Sequence, residues 1–189
     1  MKIIVIDIGN TSVDIGLFSG EKLTLTAKIS TKDNKSEFEI ANSIKSLLNI
    51  NEKETSQIDV IISSVVPNKT QVVEKASKLI NNKNPIIVNH NFDLPINNKY
   101  NPPEDVGIDR LVDSVATIKL YGAPAVIVDI GTCLVFNAVT SNNEYIGGSI
   151  IPGLNMAAES LANSTALLRP VELRIPKNII GSNSIESIQ

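Results

Sequence analysis

The sequence predicts an α/β protein of two related lobes, each a mixed five-stranded sheet with helices, facing one another across a cleft. Three observations lead there. The stretch "KIIVIDIGNTSVDIGLF" (2–18) is an apolar run that ends on Asp7, turns on Gly9-Asn10-Thr11 and resumes as a second strand. "AVIVDIGTCLVFNAV" (125–139) repeats that plan: apolar run, Asp-Ile-Gly, Thr, second apolar strand. Between them the patterning reads β-β-β-α-β-α-β-α, so a βββαβα unit occurs once in full and then begins again. The lobes are expected at 1–122 and 123–189, with the second short of elements.

Each element has a local cause. Residues 2–8 form a near-continuous apolar run, as in a strand buried on both faces. After the turn, Val13, Ile15 and Leu17 alternate with more polar neighbours, and "SGEK" leads into a third strand where Leu23, Leu25, Ala27 and Ile29 alternate. "KSEFEIANSIKSLLN" then puts Phe38, Ala41, Ile44, Leu47 and Leu48 on one helical face, with Ser36 as N-cap. "IDVIISSVVP" is a strand closing on a polar turn. "NKTQVVEKASKLINN" is a helix with Val72, Val73, Ala76, Leu79 and Ile80 at core spacing, and "PIIVNH" is a short strand. An Asn/Pro-rich loop (89–106) precedes the helix "GIDRLVDSVATIKLYG", whose apolar positions are Leu111, Val112, Val115 and Ile118. Three further strands (125–129, 134–140, 144–151), a helix (154–163) and a strand at 171–174 complete the reading.

Composition narrows the function classes. With 42% hydrophobic and 20% charged residues the chain is an ordinary globular protein. A net charge of −3 advertises neither nucleic acid nor an anionic membrane as partner. The single cysteine, Cys133, excludes an internal disulfide and suits a reducing compartment. The N-terminal apolar run stops at Asp7, too short for a secretory signal, and no run approaches the ~20 residues that span a bilayer. The expectation is a cytoplasmic protein. His90, the only histidine, reads as a loop residue of no catalytic consequence, so neither Ser-His hydrolysis nor zinc chemistry is expected.

The hairpins carry the chemistry. A tight Gly-tipped turn exposes successive backbone N–H groups, and Thr or Asn adds side-chain donors, a set that suits phosphate oxygens. A carboxylate at the same place repels phosphate unless a cation stands between them, so Asp7 and Asp129 read as ligands of a metal or its waters. One such hairpin is ordinary turn chemistry. Two copies at corresponding places argue for a clamp on a polyphosphate. Neither G-x-x-x-x-G-K-[ST] nor G-x-G-x-x-G occurs, which excludes P-loop and Rossmann readings.

Six segments in order, "DIGNT" (7–11), "ISSVVP" (62–67), "YNPPEDVGIDR" (100–110), "VDIGT" (128–132), "GGSIIPGL" (147–154) and "TALLRPVEL" (165–173), closely resemble the type III pantothenate kinases. These belong to the actin, hexokinase and acetate-kinase superfamily, whose lobes are duplicated, ribonuclease H-like actin folds. The resemblance implies ATP-dependent phosphorylation of pantothenate to 4'-phosphopantothenate, the first step towards coenzyme A, by a cytoplasmic homodimer.

The family's site residues carry over position by position. Asp7, Ile8, Gly9, Asn10, Thr11, Ser12, Val13 and Asp14 would bind ATP with Mg²⁺, together with Thr132. Asp129 would hold a monovalent cation, K⁺ or NH₄⁺. Tyr100, Gly107, Ile108, Asp109, Arg110 and Ser184 would bind pantothenate, with Asp109 as general base. From the residues alone, Asp109 could equally cap its helix, Arg110 could form a surface ion pair, and Tyr100 could be a packing residue. Where the family often has Asp-x-Gly-Thr-Ala-x-Thr-x-Asp, this chain reads "DIGTCLVFN", so Cys133, Val135 and Asn137 depart from it. Ser184 stands for the usual Thr, and the adenine-side helices expected after "SIESIQ" (184–189) are missing. These departures leave a second reading, a catalytically impaired relative acting as a nucleotide-binding or regulatory module.

Overall fold

The computed structural model describes residues 1–51 and 55–189. The chain divides into two compact units, Met1–Ala116 and Thr117–Gln189.

In the first unit, β1 (Lys2–Ile8), β2 (Ser12–Ser19) and β3 (Lys22–Ser30) form an antiparallel meander. Helix α1 (Glu37–Leu47) leads to β4 (Ile58–Ser64), parallel to β1; α2 (Pro67–Asn81) leads to β5 (Ile86–Ile87), parallel to β4. The sheet order is β3-β2-β1-β4-β5, the βββαβα arrangement that the patterning predicts. Parallel neighbours need a crossover, which the two helices supply. A two-residue strand, β6 (Asn97–Asn98), and a 3₁₀ turn (Pro103–Asp105) precede α3 (Ile108–Tyr121), within which the two units divide.

Register explains the core. Ile4, Ile6 and Ile8 stand beside Leu17, Ile15 and Val13 of β2, while Ile4 and Ile6 stand beside Val60 and Ile62 of β4. All of these are buried and form one cluster with Ile40, Ala41, Ile44 and Leu48 of the α1 segment and Val73, Ala76 and Ile80 of α2. Two expectations are corrected here. β1 is not buried equally on both faces, since Ile3 and Val5 are half-buried and Asp7 is exposed. On the helices, Ile40 takes the inward place given to Phe38, and Leu47 and Leu79 are exposed; each apolar stripe is narrower than its run of apolar residues. Ser36 does cap α1. Its hydroxyl accepts from Glu39 N–H while Glu39 accepts from Ser36 N–H at 2.8 Å and from the hydroxyl, which holds the Glu39 carboxyl below its usual pKa.

The second unit repeats the meander with β7 (Ala125–Ile130), β8 (Cys133–Val139) and β9 (Glu144–Pro152), followed by α4 (Leu154–Ser164) and a short α5 (Ser184–Ile188). Val135, Asn137, Val139, Tyr145 and Ala158 are its buried residues. Val126, Val128 and Ile130 occupy the strand positions that Ile4, Ile6 and Ile8 hold in β1, but here they are exposed, at 71%, 47% and 72%. Among the described residues no helix pair covers them. The strand expected at 171–174 does not form; residues 165–183 contain no helix or strand. Glu172 there is held by side chains instead, pairing with Arg174 at 2.6 Å and giving its carbonyl to Gln189.

Ile62 lies fully buried on a central strand, so Ile62→Ala is expected to cost about 2–5 kcal/mol in chemical denaturation. Glu39 has a lowered folded pKa, so its contribution is complete above the unfolded value of about 4.3 and is lost as pH falls below it. Thermal melts should show a smaller acid-induced drop in Tm for Glu39→Gln than for the wild type.

Candidate active site

Alternation along β1 sets the site. Because Ile6 and Ile8 face the core, Asp7 must face the other side of the sheet, between Asp14 of β2 and Ser63 of β4 in register. That side carries a cavity of about 440 Å³. Its apolar wall includes Val5, Phe18, Leu23, Ile61 and Val112, and its polar groups include Asp7, Asp14, Ser63, Asp109 and Asp113. Gly16 helps to keep it open, since a Cβ there would lie 3.0 Å from both Leu23 and Val5 side-chain atoms.

The β1–β2 tip is tightly tied. Gly9 N–H donates to the Ser12 carbonyl at 2.9 Å, Thr31 donates its hydroxyl to the Gly9 carbonyl at 2.7 Å, and Thr31 N–H donates to the Thr11 carbonyl at 3.0 Å. Ser12 donates its hydroxyl to Asp14 at 2.7 Å, and Asp14 also pairs with Lys28 at 3.0 Å. Asn10 and Thr11 are exposed at the tip, while Ile8 and Val13 are buried beneath it and contribute backbone only. So the 7–14 segment offers solvent a small polar loop flanked by two carboxylates.

Asp109 reaches the same cavity from the start of α3. Its carboxylate accepts from the adjacent Arg110 N–H at 2.8 Å, and as an acid in the first turn it also suits the positive end of the helix dipole. That placement is compatible with its lining the cavity. A Cβ on Gly107 would overlap that carboxylate, so glycine is what lets the acid fold back against its own loop. Ile108 is buried and anchors the turn. Arg110 is only 8% exposed, which removes the surface ion pair as its explanation. Its guanidinium lies over the Tyr100 ring, 5.6 Å from the centroid. Tyr100 is fixed in turn by its N–H to Asn98 Oδ1 at 3.0 Å, and the Asn98 amide donates to the Pro103 carbonyl at 3.0 Å. Tyr100, Gly107, Ile108, Asp109 and Arg110 thus form one continuous structure, and Asp109 joins it to the Asp7 cavity.

In the second unit, Asp129 and Thr132 sit exposed on the β7–β8 hairpin. Gly131 N–H donates to the Cys133 carbonyl at 3.0 Å, and Gly153 N–H donates to the Thr132 carbonyl at 3.0 Å. A Cβ on Gly153 would overlap the carbonyl oxygens of Gly131 and Thr132, so this glycine admits the hairpin backbone at close range. The two hairpins differ by one residue: Asp7 pairs across with Asp14, Asp129 with Val135. Val135 therefore stands where the first hairpin has its second acid. Asn137 is buried and accepts from the Tyr145 hydroxyl at 2.9 Å; an amide meets that donor without burying a charge. Ser184 opens α5, exposed, next to the Asn183 cap.

Among the described residues no three His, Cys, Asp or Glu side chains converge as a ready metal site. Asp7 and Asp14 offer hard oxygens suited to Mg²⁺, which takes one or two carboxylates and completes its shell with phosphate oxygens and water. No described helix is long and apolar enough to cross a membrane. Sequence reasoning missed Ser63, Thr31 and Asp113. Ser63 lay inside the quoted "ISSVVP" and Asp113 one helical turn beyond Asp109, so register and helical period were the available signals.

The model of the type III pantothenate kinase family matches residues 3–189. A type III pantothenate kinase of Finegoldia magna is 38% identical over 188 residues, covering 99% of this chain and 72% of the relative. One from Geobacillus is 39% identical, covering 99% and 73%. A solved Baf family protein from Campylobacter jejuni shares the fold, with a TM-score of 0.53 at 13% identity over 98% of this chain and 71% of that one.

Proposed function

The chain belongs to the type III pantothenate kinase family, and from that premise we propose that it transfers the γ-phosphoryl group of ATP to the primary hydroxyl of pantothenate, giving 4'-phosphopantothenate on the way to coenzyme A. The observation that carries the mechanism is that Asp7 and Asp109, from distant parts of the chain, line one cavity.

The roles follow from chemistry. Asp109 accepts the proton of the attacking hydroxyl, which a carboxylate positioned beside its helix start can do. Arg110 presents a guanidinium already stacked on Tyr100, suited to a bidentate grip on the pantothenate carboxylate. Gly107 and Ile108 shape that loop, and Ser184 adds a hydroxyl to the substrate. The exposed tip of residues 7–14 offers donors to the ATP phosphates, with Thr132 as a further contact. Mg²⁺ at Asp7 and Asp14 would neutralise charge on the phosphates. Asp129 would hold K⁺ or NH₄⁺. The working protein is proposed to be a cytoplasmic homodimer whose subunit has two actin-like lobes, residues 1–122 and 123–189.

Val135 favours a second reading. It lies cross-strand from Asp129 where the family often has a threonine hydroxyl, Asn137 lacks the family's acid, and a site so weakened would bind nucleotide without turning it over. A coupled ADP-release assay beside calorimetry separates the two: binding without product supports the impaired relative.

For the kinase, Asp109→Asn should lower kcat by about 10²–10⁴-fold with the Kd for ATP unchanged; a wild-type kcat would remove the general-base role. Activity should depend on K⁺ or NH₄⁺, and equal rates in Na⁺ alone would dismiss Asp129 as a cation site.

A further inference from the structure

We propose that Ser63 is a further binding residue of the phosphoryl-transfer site, its hydroxyl donating to an oxygen of the phosphoryl group as it passes from nucleotide to acceptor. The inference rests on the kinase reading above and adds a residue to it.

Two adjacent serines close β4, and they are used differently. The Ser64 hydroxyl accepts from Val66 N–H at 3.1 Å and from the Thr70 hydroxyl at 2.6 Å, closing the turn into α2. Ser63 points to the opposite face, as strand alternation requires. Its Oγ is buried and has no hydrogen-bond partner among the described residues. It lines the Asp7–Asp109 cavity, and its strand position is directly beside Asp7. A buried hydroxyl that meets no partner destabilises a fold relative to an apolar side chain of the same size. Packing alone therefore gives no reason for a hydroxyl there, whereas a ligand oxygen does.

The surroundings specify which oxygen. Ionised Asp7, Asp14, Asp109 and Asp113 can only accept hydrogen bonds. Of the side chains lining the cavity, the hydroxyl donors are Ser63 and Thr26, and Thr26 lies exposed on β3. Ser63 is thus the buried neutral donor in a cavity shared by the acid assigned to the metal and phosphates, its register neighbour, and the acid assigned to the proton. In a direct transfer the group between those two is the anionic phosphoryl, whose equatorial oxygens carry charge and accept such a donor. A neutral hydroxyl gives that bond without pairing with the surrounding carboxylates as a Lys or Arg would.

The test uses the full chain with ATP, Mg²⁺ and pantothenate in a coupled ADP-release assay. Ser63→Ala and Ser63→Cys, which remove or weaken the donor at nearly constant size, should lower kcat by about 10–100-fold. The KM for pantothenate and the affinity for ADP should stay within about twofold. Ser63→Thr keeps the hydroxyl and should recover most of the lost rate. Thermal melts on each variant separate loss of the donor from loss of the fold. Wild-type kcat in Ser63→Ala or Ser63→Cys overturns the inference, as does a Ser63→Thr enzyme as slow as Ser63→Ala. A wild-type chain that binds nucleotide yet phosphorylates no pantothenate overturns the kinase reading, and this inference with it.

Discussion

The period-two alternation of β1 is the constraint from which the first unit's site follows. Ile4, Ile6 and Ile8 are drawn inward by α1 and α2, and each buried side chain of that size is worth about 1.5–3 kcal/mol. That burial leaves Asp7 no choice of face. It emerges opposite the core, flanked in register by Asp14 and Ser63. A slip of one residue would bury the acid and expose the isoleucines together, so the hydrophobic effect acting on apolar residues is what places the carboxylate.

On that face, different parts of the chain are held by different means. The hairpin tip is held by Thr31, which ties the Gly9 and Thr11 carbonyls to the end of β3. At the Asp109 loop, a glycine leaves room for the acid to fold back in its present rotamer. Arg110 is held by an aromatic ring and by burial. Each device restrains a polar group before any ligand arrives, which lowers the ordering cost that binding would otherwise meet.

Much of this was legible in the sequence. The Asp-Ile-Gly repeats located both meanders, because a hairpin tip needs glycine and strands need apolar runs, and both signals are local. The Ser36 cap was legible for the same reason: it lies three residues from its partner Glu39. Phe38 and Leu47 were misplaced because an apolar residue beside a helical stripe looks identical to one inside it until the neighbouring sheet is known. The strand expected at 171–174 failed because its alternation, Val171 and Leu173, found no partner strand. Ser63 and Asp113 went unseen for a related reason. Their significance lies in β1–β4 register and in the cavity, and neither is a property of a short window.

The one-residue difference between the hairpins has a practical corollary for anyone splicing these loops. The first tip spans Asp7 to Asp14 and the second Asp129 to Val135, and each carries its own closing pair. Exchanging whole tips would therefore leave Val128 opposite Phe136 and the bond between Tyr145 and Asn137 intact. The spare residue is contained within the turn, so loop and strands are separable parts.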